Sequence, residues 1–411
     1  MIRLVSGLLL TGIICSGCAV QELVVAEETE LVVAESSVDE AMLLDIGIVE
    51  FDAGIPEEND TEKTGIYEDI RRAEAKYIPF HLKTTLQGTG HWGAVRVIPS
   101  TSAFTDVIVG GQILKSDGEY VELQVSVHDA AGRHWFTRKY ETQTGLTSYS
   151  NRRDRRRDPY QKVFNDFAND LQMHASEMPA RQLQRLRQIS ELQFFGDMSP
   201  AAYSGYLTTN KDGIIDVVRL PAENAPSVLR MRQIRERDRL VVDTLNEHYA
   251  NFYYGIAIPY RNWRKNARAE TIKYRQEKRS SHLQALVGVV VLAGSTQIDT
   301  RSSASRNTRN INRALQYQGI TRGFNTLYEA FRRNREANLH LDAIAELSES
   351  FGSEAAPMVV SVEGQERRLT GTAEVQYESW RQLLREIYEA ETGFSQSVEV
   401  GAPARVPEPT G

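Results

Sequence analysis

The chain has 411 residues, and its 48 Lys and Arg are outnumbered by 55 Asp and Glu, which gives a formal net charge of -7. This acidic balance argues against a general nucleic-acid-binding protein, which presents a basic face. Hydrophobic residues form 41% of the chain and charged residues 25%, as in ordinary globular proteins, and the length allows two or three domains. Both cysteines, Cys15 and Cys18, stand near the start, so a thiol nucleophile, a cysteine metal site and a disulfide are excluded elsewhere.

Residues 1–17 have the pattern of a secretory signal peptide. Arg3 supplies a basic start, an apolar run extends over Leu4–Ile14, and small residues precede Cys18. The run is too short to span a membrane as a helix. Its end resembles a bacterial lipobox, although Cys15 stands where Leu is usual. The resemblance implies that Cys18 begins the mature chain, carries lipid such as palmitate and anchors the protein. An ordinary cleaved signal peptide is the alternative.

Acidic residues are frequent in the segment 18–40, which we interpret as a tether between the lipid and the first domain. A short edge strand at Leu31–Val33 is the alternative. In lipoproteins of this type, an Asp after the lipidated Cys favours the inner membrane. Ala19 stands there instead, so the resemblance implies an outer-membrane protein that faces the periplasm. The acidic residues of the segment are Glu22, Glu27, Glu28, Glu30, Glu35, Asp39 and Glu40.

Residues 41–150 are predicted to form a small α/β domain. Apolar runs of strand length are separated by turns, and one long amphipathic stretch follows the first run. Asp117–Gly118 and Ala131–Gly132 are hairpin turns, so the last strands should pair antiparallel. Pro79 should kink or split the helix. The predicted order is β-α-β-β-β-β in a mixed sheet, with strands at Leu43–Phe51, Ala94–Pro99, Asp106–Leu114, Tyr120–Val127 and His134–Thr142 and a helix at Glu62–Leu86.

Three sequence features of this region carry a resemblance to a known domain. The first strand ends in Glu50-Phe51-Asp52, a later strand includes Asp106–Gly111, and Val127–Gly132 precedes a strand with Trp135. With these features the chain resembles a bacterial lipoprotein whose amino-terminal domain is similar to that of CsgG-type envelope proteins, of the amino-terminal part of TolB and of LpoB. The resemblance implies recognition of other envelope proteins or assembly into rings, without catalysis.

The region 160–350 is predicted to be mostly helical, which makes the whole chain α+β. Pro259 must interrupt the longest helix. The apolar run Leu283–Ala293 is too short to cross a bilayer, so we interpret it as a buried helix, with membrane contact as the alternative. Apolar stripes at helical spacing place the helices at Tyr160–Ser176, Pro179–Phe195, Pro226–Arg279 and Ile311–Ser350.

The carboxyl end at 351–393 is predicted to be a β-hairpin followed by a helix. Met358–Val362 alternates as a strand, Arg367–Thr370 is its return strand, and Ala373–Thr392 is an amphipathic helix. The polar, proline-bearing tail at 394–411 should be disordered.

An aromatic group around Pro259 supplies the candidate binding residues. Aromatic side chains anchor protein interfaces, and packing at a helix–helix corner is the alternative. We select Tyr253, Tyr254, Tyr260 and Trp263 as candidate partner-binding residues.

Two loops could be mistaken for ligand sites. Residues 151–159 contain five arginines, which we interpret as a solvated loop partly neutralised by Asp154 and Asp158; a contact with acidic lipid heads is the alternative. A calcium-like loop begins with Thr208 and ends with Arg219, where an EF-hand needs Asp and a bidentate Glu. We therefore predict an ordinary turn there, and no metal site.

No catalytic motif for acyl, phosphoryl or hydride transfer occurs in the sequence. The sequence therefore predicts a non-catalytic envelope assembly, scaffold or recognition factor without a cofactor, which binds envelope proteins or self-associates and reaches the outer membrane through Cys18. A hydrolase acting on cell-wall glycan, or a peptidoglycan-binding protein, is the first alternative. A component of a CsgG-like secretion channel is the second.

Overall fold

The structure is a computed structural model. The residues that it describes are 28–57, 65–99, 104–145, 147–150, 157–294, 335–353, 358–362 and 365–392. The predicted signal peptide, the lipidated Cys18, most of the arginine-rich loop and the polar tail lie outside them.

The amino-terminal part contains a mixed five-stranded sheet. Its strand order is β2-β1-β3-β4-β5. β1 pairs in parallel with both β2 and β3, and the two hairpins that join β3, β4 and β5 are antiparallel. The predicted β-α-β-β-β-β order and the α+β class are confirmed. The strands are β1 (Ile46–Ile48), β2 (Val95–Val97), β3 (Val107–Ser116), β4 (Tyr120–Asp129) and β5 (His134–Gln143).

Helix α1 (Glu68–Thr89) connects β1 to β2 and is continuous through Pro79, so the predicted split is wrong and the kink stays a prediction. A proline lacks the N–H that would bond to the carbonyl four residues earlier, here that of Ala75. The backbone N–H of Phe51 donates to that carbonyl instead, at 3.0 Å. The helix therefore keeps its buried carbonyl satisfied, and the bond fastens the segment after β1 to α1.

The rest of the described chain is mainly helical. At the turn between β6 and β7, the Asn210 side chain accepts from the N–H groups of Asp212 and Ile214, both at 2.9 Å. The turn is the ordinary one predicted in place of a calcium loop. The remaining elements are α2 (Gln161–Ser176), α3 (Ala180–Met198), α4 (Pro200–Tyr203), β6 (Leu207–Thr209), β7 (Ile215–Val217), α5 (Pro226–Gly294), α6 (Arg335–Ser353), β8 (Met358–Val362), β9 (Gln365–Leu369) and α7 (Ala373–Thr392).

Helix α5 also passes through its proline, Pro259, and the prediction that this residue interrupts the helix is wrong. The carbonyl that loses its helical donor is that of Gly255, an exposed residue, so water can satisfy it. The apolar run Leu283–Ala293 belongs to α5. None of the helices among the described residues is long and apolar enough to cross a membrane.

Helix α5 completes the edge of the sheet. The Asn246 amide accepts from the N–H of Val97 at 2.9 Å and donates to its carbonyl at 2.8 Å, as a neighbouring strand would. The adjacent Arg96 and Asp243 form two hydrogen bonds of 2.6 and 3.0 Å. Edge strand β2 is therefore covered by a helix that follows it by about 130 residues in the sequence.

The β3–β4 hairpin tip rests on the backbone of α5. Gly118 has φ +80°, and a Cβ there would lie 2.3 Å from the Arg264 carbonyl oxygen. One cluster of buried apolar side chains extends from Leu44 to Tyr388. The sheet and the helices thus share a core.

We expect Gly118→Ala to destabilise the protein far more than Gly213→Ala. Both glycines have φ near +80°, but nothing lies within 4 Å of a Cβ built on Gly213. The left-handed conformation alone costs an alanine about 1–2 kcal/mol, and Gly118→Ala adds a backbone overlap with α5. Urea unfolding of both variants measures the difference. Equal losses would show that the hairpin tip does not pack against α5.

Candidate contact site on the long helix

The four candidate aromatic residues divide between the core and the surface. Tyr260 and Trp263 are 1% and 2% exposed, whereas Tyr254 is 67% exposed and Tyr253 is half-buried. Trp263 packs on the rings of Tyr67 and Tyr260. The prediction that Tyr260 and Trp263 contact a partner is therefore wrong for this structure. Because α5 does not break at Pro259, its 3.6-residue period continues and turns both side chains inward.

The same period places large apolar side chains on the opposite, solvent-facing side of α5. Ile258 is 74% exposed, Leu240 is 59% exposed and Leu229 is 47% exposed. Leu240 precedes Ile258 by five helical turns and Leu229 precedes it by about eight, while Tyr254 is one turn away. We call these four residues, Leu229, Leu240, Tyr254 and Ile258, the outer row. It extends about 44 Å along the helix.

Tyr254 and Ile258 are the only adjacent pair in the outer row. The Tyr254 ring lies edge-on to Phe80 of α1, with centroids 6.3 Å apart, and edge-on to Tyr253 at 5.2 Å. Lys83 of α1 lies 4.7 Å from the Phe80 ring centroid. Tyr254 therefore sits at the seam of α1 and α5, and Lys83 lies over the Phe80 ring that it contacts.

A buried ion pair holds α5 at this position. Arg264 donates two hydrogen bonds to Asp158, at 2.9 and 2.8 Å, and both side chains are almost fully buried. The guanidinium lies 4.8 Å from the Tyr160 ring centroid and 4.2 Å from that of Tyr260. The sequence-based interpretation of Asp158 as a neutraliser of the arginine-rich loop is therefore wrong, because its carboxylate points into the core.

Each member of this pair holds the other in its charged form. Burial alone would raise the pKa of Asp158, but the attraction of Arg264 outweighs it and the pKa is well below its usual value. Burial would lower the pKa of Arg264, and Asp158 outweighs that effect, so the pKa is raised. Tyr77 completes the shell of Asp158 with a longer contact of 3.4 Å.

A second buried carboxylate, Glu74, joins three elements beside this pair. It is fully buried and accepts from Ser116 Oγ at 2.5 Å and from Tyr260 OH at 2.6 Å. Arg71 lies 3.8 Å from its other oxygen and donates to the Ile113 carbonyl. Glu74 thereby links α1 to β3 and to α5.

His81 belongs to the same polar cluster. Its Nδ1 lies 2.7 Å from Tyr253 OH, and its Nε2 lies 2.9 Å from Gln161 Oε1. A carbonyl oxygen only accepts, so Nε2 carries the proton and Nδ1 accepts from Tyr253. Burial lowers the pKa of His81. These acidic and basic groups bond to one another inside the protein, an arrangement that fixes helices and does not present a reactive atom to solvent.

A third buried cluster ties α7 to the body. Arg381 bonds to Asp197 of α3, lies 3.6 Å from Asp238 of α5, and has its guanidinium 5.0 Å from the Phe194 ring centroid. Sequence reasoning missed Arg264, Glu74 and Arg381. Their partners are distant in sequence, and no local pattern marks them.

In the described part of the chain, no group of three or more His, Cys, Asp or Glu side chains could hold a metal ion. A cavity of about 230 Å³ has mainly apolar walls, including Met42, Trp92, Met178 and Leu183.

The chain matches no protein-family model, no curated protein and no solved structure. The resemblance to CsgG-type domains stays a prediction.

We expect Arg264→Met to cost about 3–5 kcal/mol of stability, because it leaves Asp158 charged and buried without its partner. Lys265→Met is the matched control, since Lys265 is the next residue and is exposed. Thermal and denaturant unfolding measure both variants. A loss for Arg264→Met no larger than that of the control would contradict the structural role of the pair.

We also expect acidification from pH 7 to pH 5 to destabilise the wild type more than His81→Gln. The folded-state pKa of His81 is below the ordinary value of 6.5, so the unfolded chain takes up the proton first. Stability is therefore lost as the pH falls from about 6.5 towards the folded-state pKa. Unfolding free energies at several pH values test this, and parallel pH curves for the two proteins would contradict it.

Proposed function

We propose that the protein is a lipid-anchored, non-catalytic recognition or assembly factor of the bacterial envelope, and that it binds a partner protein through Tyr254 and Ile258. The observation that supports this contact site is the exposure of the two adjacent side chains, which is 67% for Tyr254 and 74% for Ile258. They lie on a helix whose opposite face is packed in the core. An aromatic and an aliphatic side chain on a rigid helix form a pre-organised anchor, since little order is lost on binding.

The anchor and the location in this proposal rest on the sequence. The basic start, the apolar run and Cys18 support export and acylation, and Ala19 supports the outer membrane, facing the periplasm. The partner is an envelope protein or a second copy of the chain. The alternatives of a glycan-acting or peptidoglycan-binding protein and of a secretion-channel component gain no specific support from any contact among the described residues.

Substitution of the exposed pair tests the contact site. We expect Tyr254→Ala with Ile258→Ser to weaken partner capture from crosslinked envelopes by roughly 30-fold or more, as for an interface anchor worth about 2 kcal/mol, with little change in the melting temperature. Trp263→Ala is the comparison, because a buried aromatic residue costs about 3–5 kcal/mol of stability. Unchanged capture and unchanged self-association of the double variant would refute the proposed surface.

The lipid anchor has its own test. We expect Cys18→Ser to abolish labelling with a palmitate analogue and to release the protein from the membrane fraction. Equal labelling of variant and wild type would contradict acylation at Cys18.

A further inference from the structure

The first described residues of the chain do not form a free tether. Residues 29–34 lie against α2 and the end of α1, and four hydrogen bonds join backbone groups of this segment to those two helices. Asn165 Nδ2 donates to the Thr29 carbonyl at 2.7 Å, and Asn169 Nδ2 donates to the Glu30 carbonyl at 2.9 Å. Asn169 Oδ1 accepts from the N–H of Val32 at 2.9 Å. The segment pairs with none of the described strands, so the alternative of an edge strand is not found there.

The recognition uses the peptide backbone. The Asn169 side chain accepts from the N–H of Val32 and donates to the carbonyl of Glu30, two residues earlier. A neighbouring strand in a β-ladder bonds to backbone groups with the same spacing. The side chains of Val32 and Val33 are exposed, and Leu31 is partly buried against the core. Within residues 29–33 the contacts are therefore made by the backbone and by one apolar side chain, which is the pattern of strand-like peptide recognition.

Both ends of the segment are fastened as well. Glu28 forms an ion pair of 2.9 Å with Arg157 just before α2. At the other end, the N–H of Ala34 donates to the carbonyl of Thr89, the last residue of α1, at 2.8 Å.

We propose that the Asn165–Asn169 face of α2 is a binding site for an extended peptide, that residues 28–34 of the same chain occupy it, and that this docked segment sets how far the body stands from the membrane. The second part rests on the proposed lipid at Cys18. When the segment is docked, Cys18 and Thr29 are eleven residues apart, which allows at most about 40 Å. Beyond the segment, the Glu40 carbonyl accepts a hydrogen bond from Arg187. If the chain detaches as far as Glu40, the distance between the lipid and the body can reach about 80 Å.

One of the two asparagines, Asn165, is oriented by a neighbouring side chain. Gln161 Nε2 donates to Asn165 Oδ1 at 2.9 Å, which turns the Asn165 amide so that its N–H groups face the segment. Gln161 is itself fixed by His81 and by Thr85 Oγ1, at 3.2 Å. The peptide site is therefore an extension of the buried polar cluster, because Asn165 is bonded to that cluster through Gln161.

Hydrogen exchange on the full chain with Cys18→Ser tests the site without lipid. We expect the Val32 amide to be protected in this parent and to exchange roughly tenfold faster or more in Asn165→Ala/Asn169→Ala, because its acceptor is removed. Asn169→Ala alone is the second variant, since Asn169 is not fully buried. Lys162→Ala/Asp166→Ala is the control, because it removes an ion pair of the same helix. Equally fast exchange of Val32 in the parent and the Asn variants would overturn the docking.

The distance is tested with acylated protein in phosphatidylethanolamine–phosphatidylglycerol vesicles. A dye on Lys211→Cys, in the exposed β6–β7 turn, reports energy transfer to a labelled headgroup. We expect lower transfer for the Asn variants than for the control, whereas equal transfer with lost protection would overturn the role in distance. Failure of every variant to bind vesicles would instead overturn the lipid anchor of the proposed function. A dimer whose segment docks on the other copy would overturn docking within one chain.

Discussion

The buried pair of Asp158 and Arg264 is the constraint on which the arrangement of this chain depends. Removing two charges from water costs several kcal/mol for each ion, and two hydrogen bonds and the nearby rings of Tyr160 and Tyr260 offset this cost. Asp158 lies just before α2, and Arg264 lies in the middle of α5. Their geometry therefore joins the start of α2 to α5 and to the hairpin tip that rests on the Arg264 backbone.

The two prolines show how the helices around this pair remain whole. Pro79 frees a buried carbonyl, and Phe51 supplies the missing donor from the segment after β1. Pro259 frees a carbonyl on the outer side of α5, where solvent is available. A proline breaks a helix when the freed carbonyl has no other partner. Here the carbonyl freed by Pro79 bonds to Phe51 and the carbonyl freed by Pro259 faces solvent. Both helices therefore remain continuous where they pack together.

The sheet could be predicted from the sequence because its signals are local. The period-two pattern of Tyr120–Val127 and the Asp117–Gly118 turn define a hairpin from neighbouring residues alone. The partner of Asp158 could not be predicted from the sequence, because it stands 106 residues away. Many other arginines of the chain are equally plausible partners. The inward position of Tyr260 and Trp263 could have been found. Ile256, Tyr260, Trp263 and Ala267 recur at helical spacing, and the error was to end the helix at Pro259.

The polar cluster also explains why an asparagine pair on α2 can hold a backbone. An isolated asparagine can turn its amide either way, and it would donate or accept without preference. Neutral His81 uses its one N–H on the Gln161 oxygen, which leaves the Gln161 N–H groups facing Asn165. Asn165 must then direct its own N–H groups outward, to the Thr29 carbonyl. The hydrogen bonds from His81 through Gln161 and Asn165 thus share one direction, and at the surface end Asn165 donates to a carbonyl.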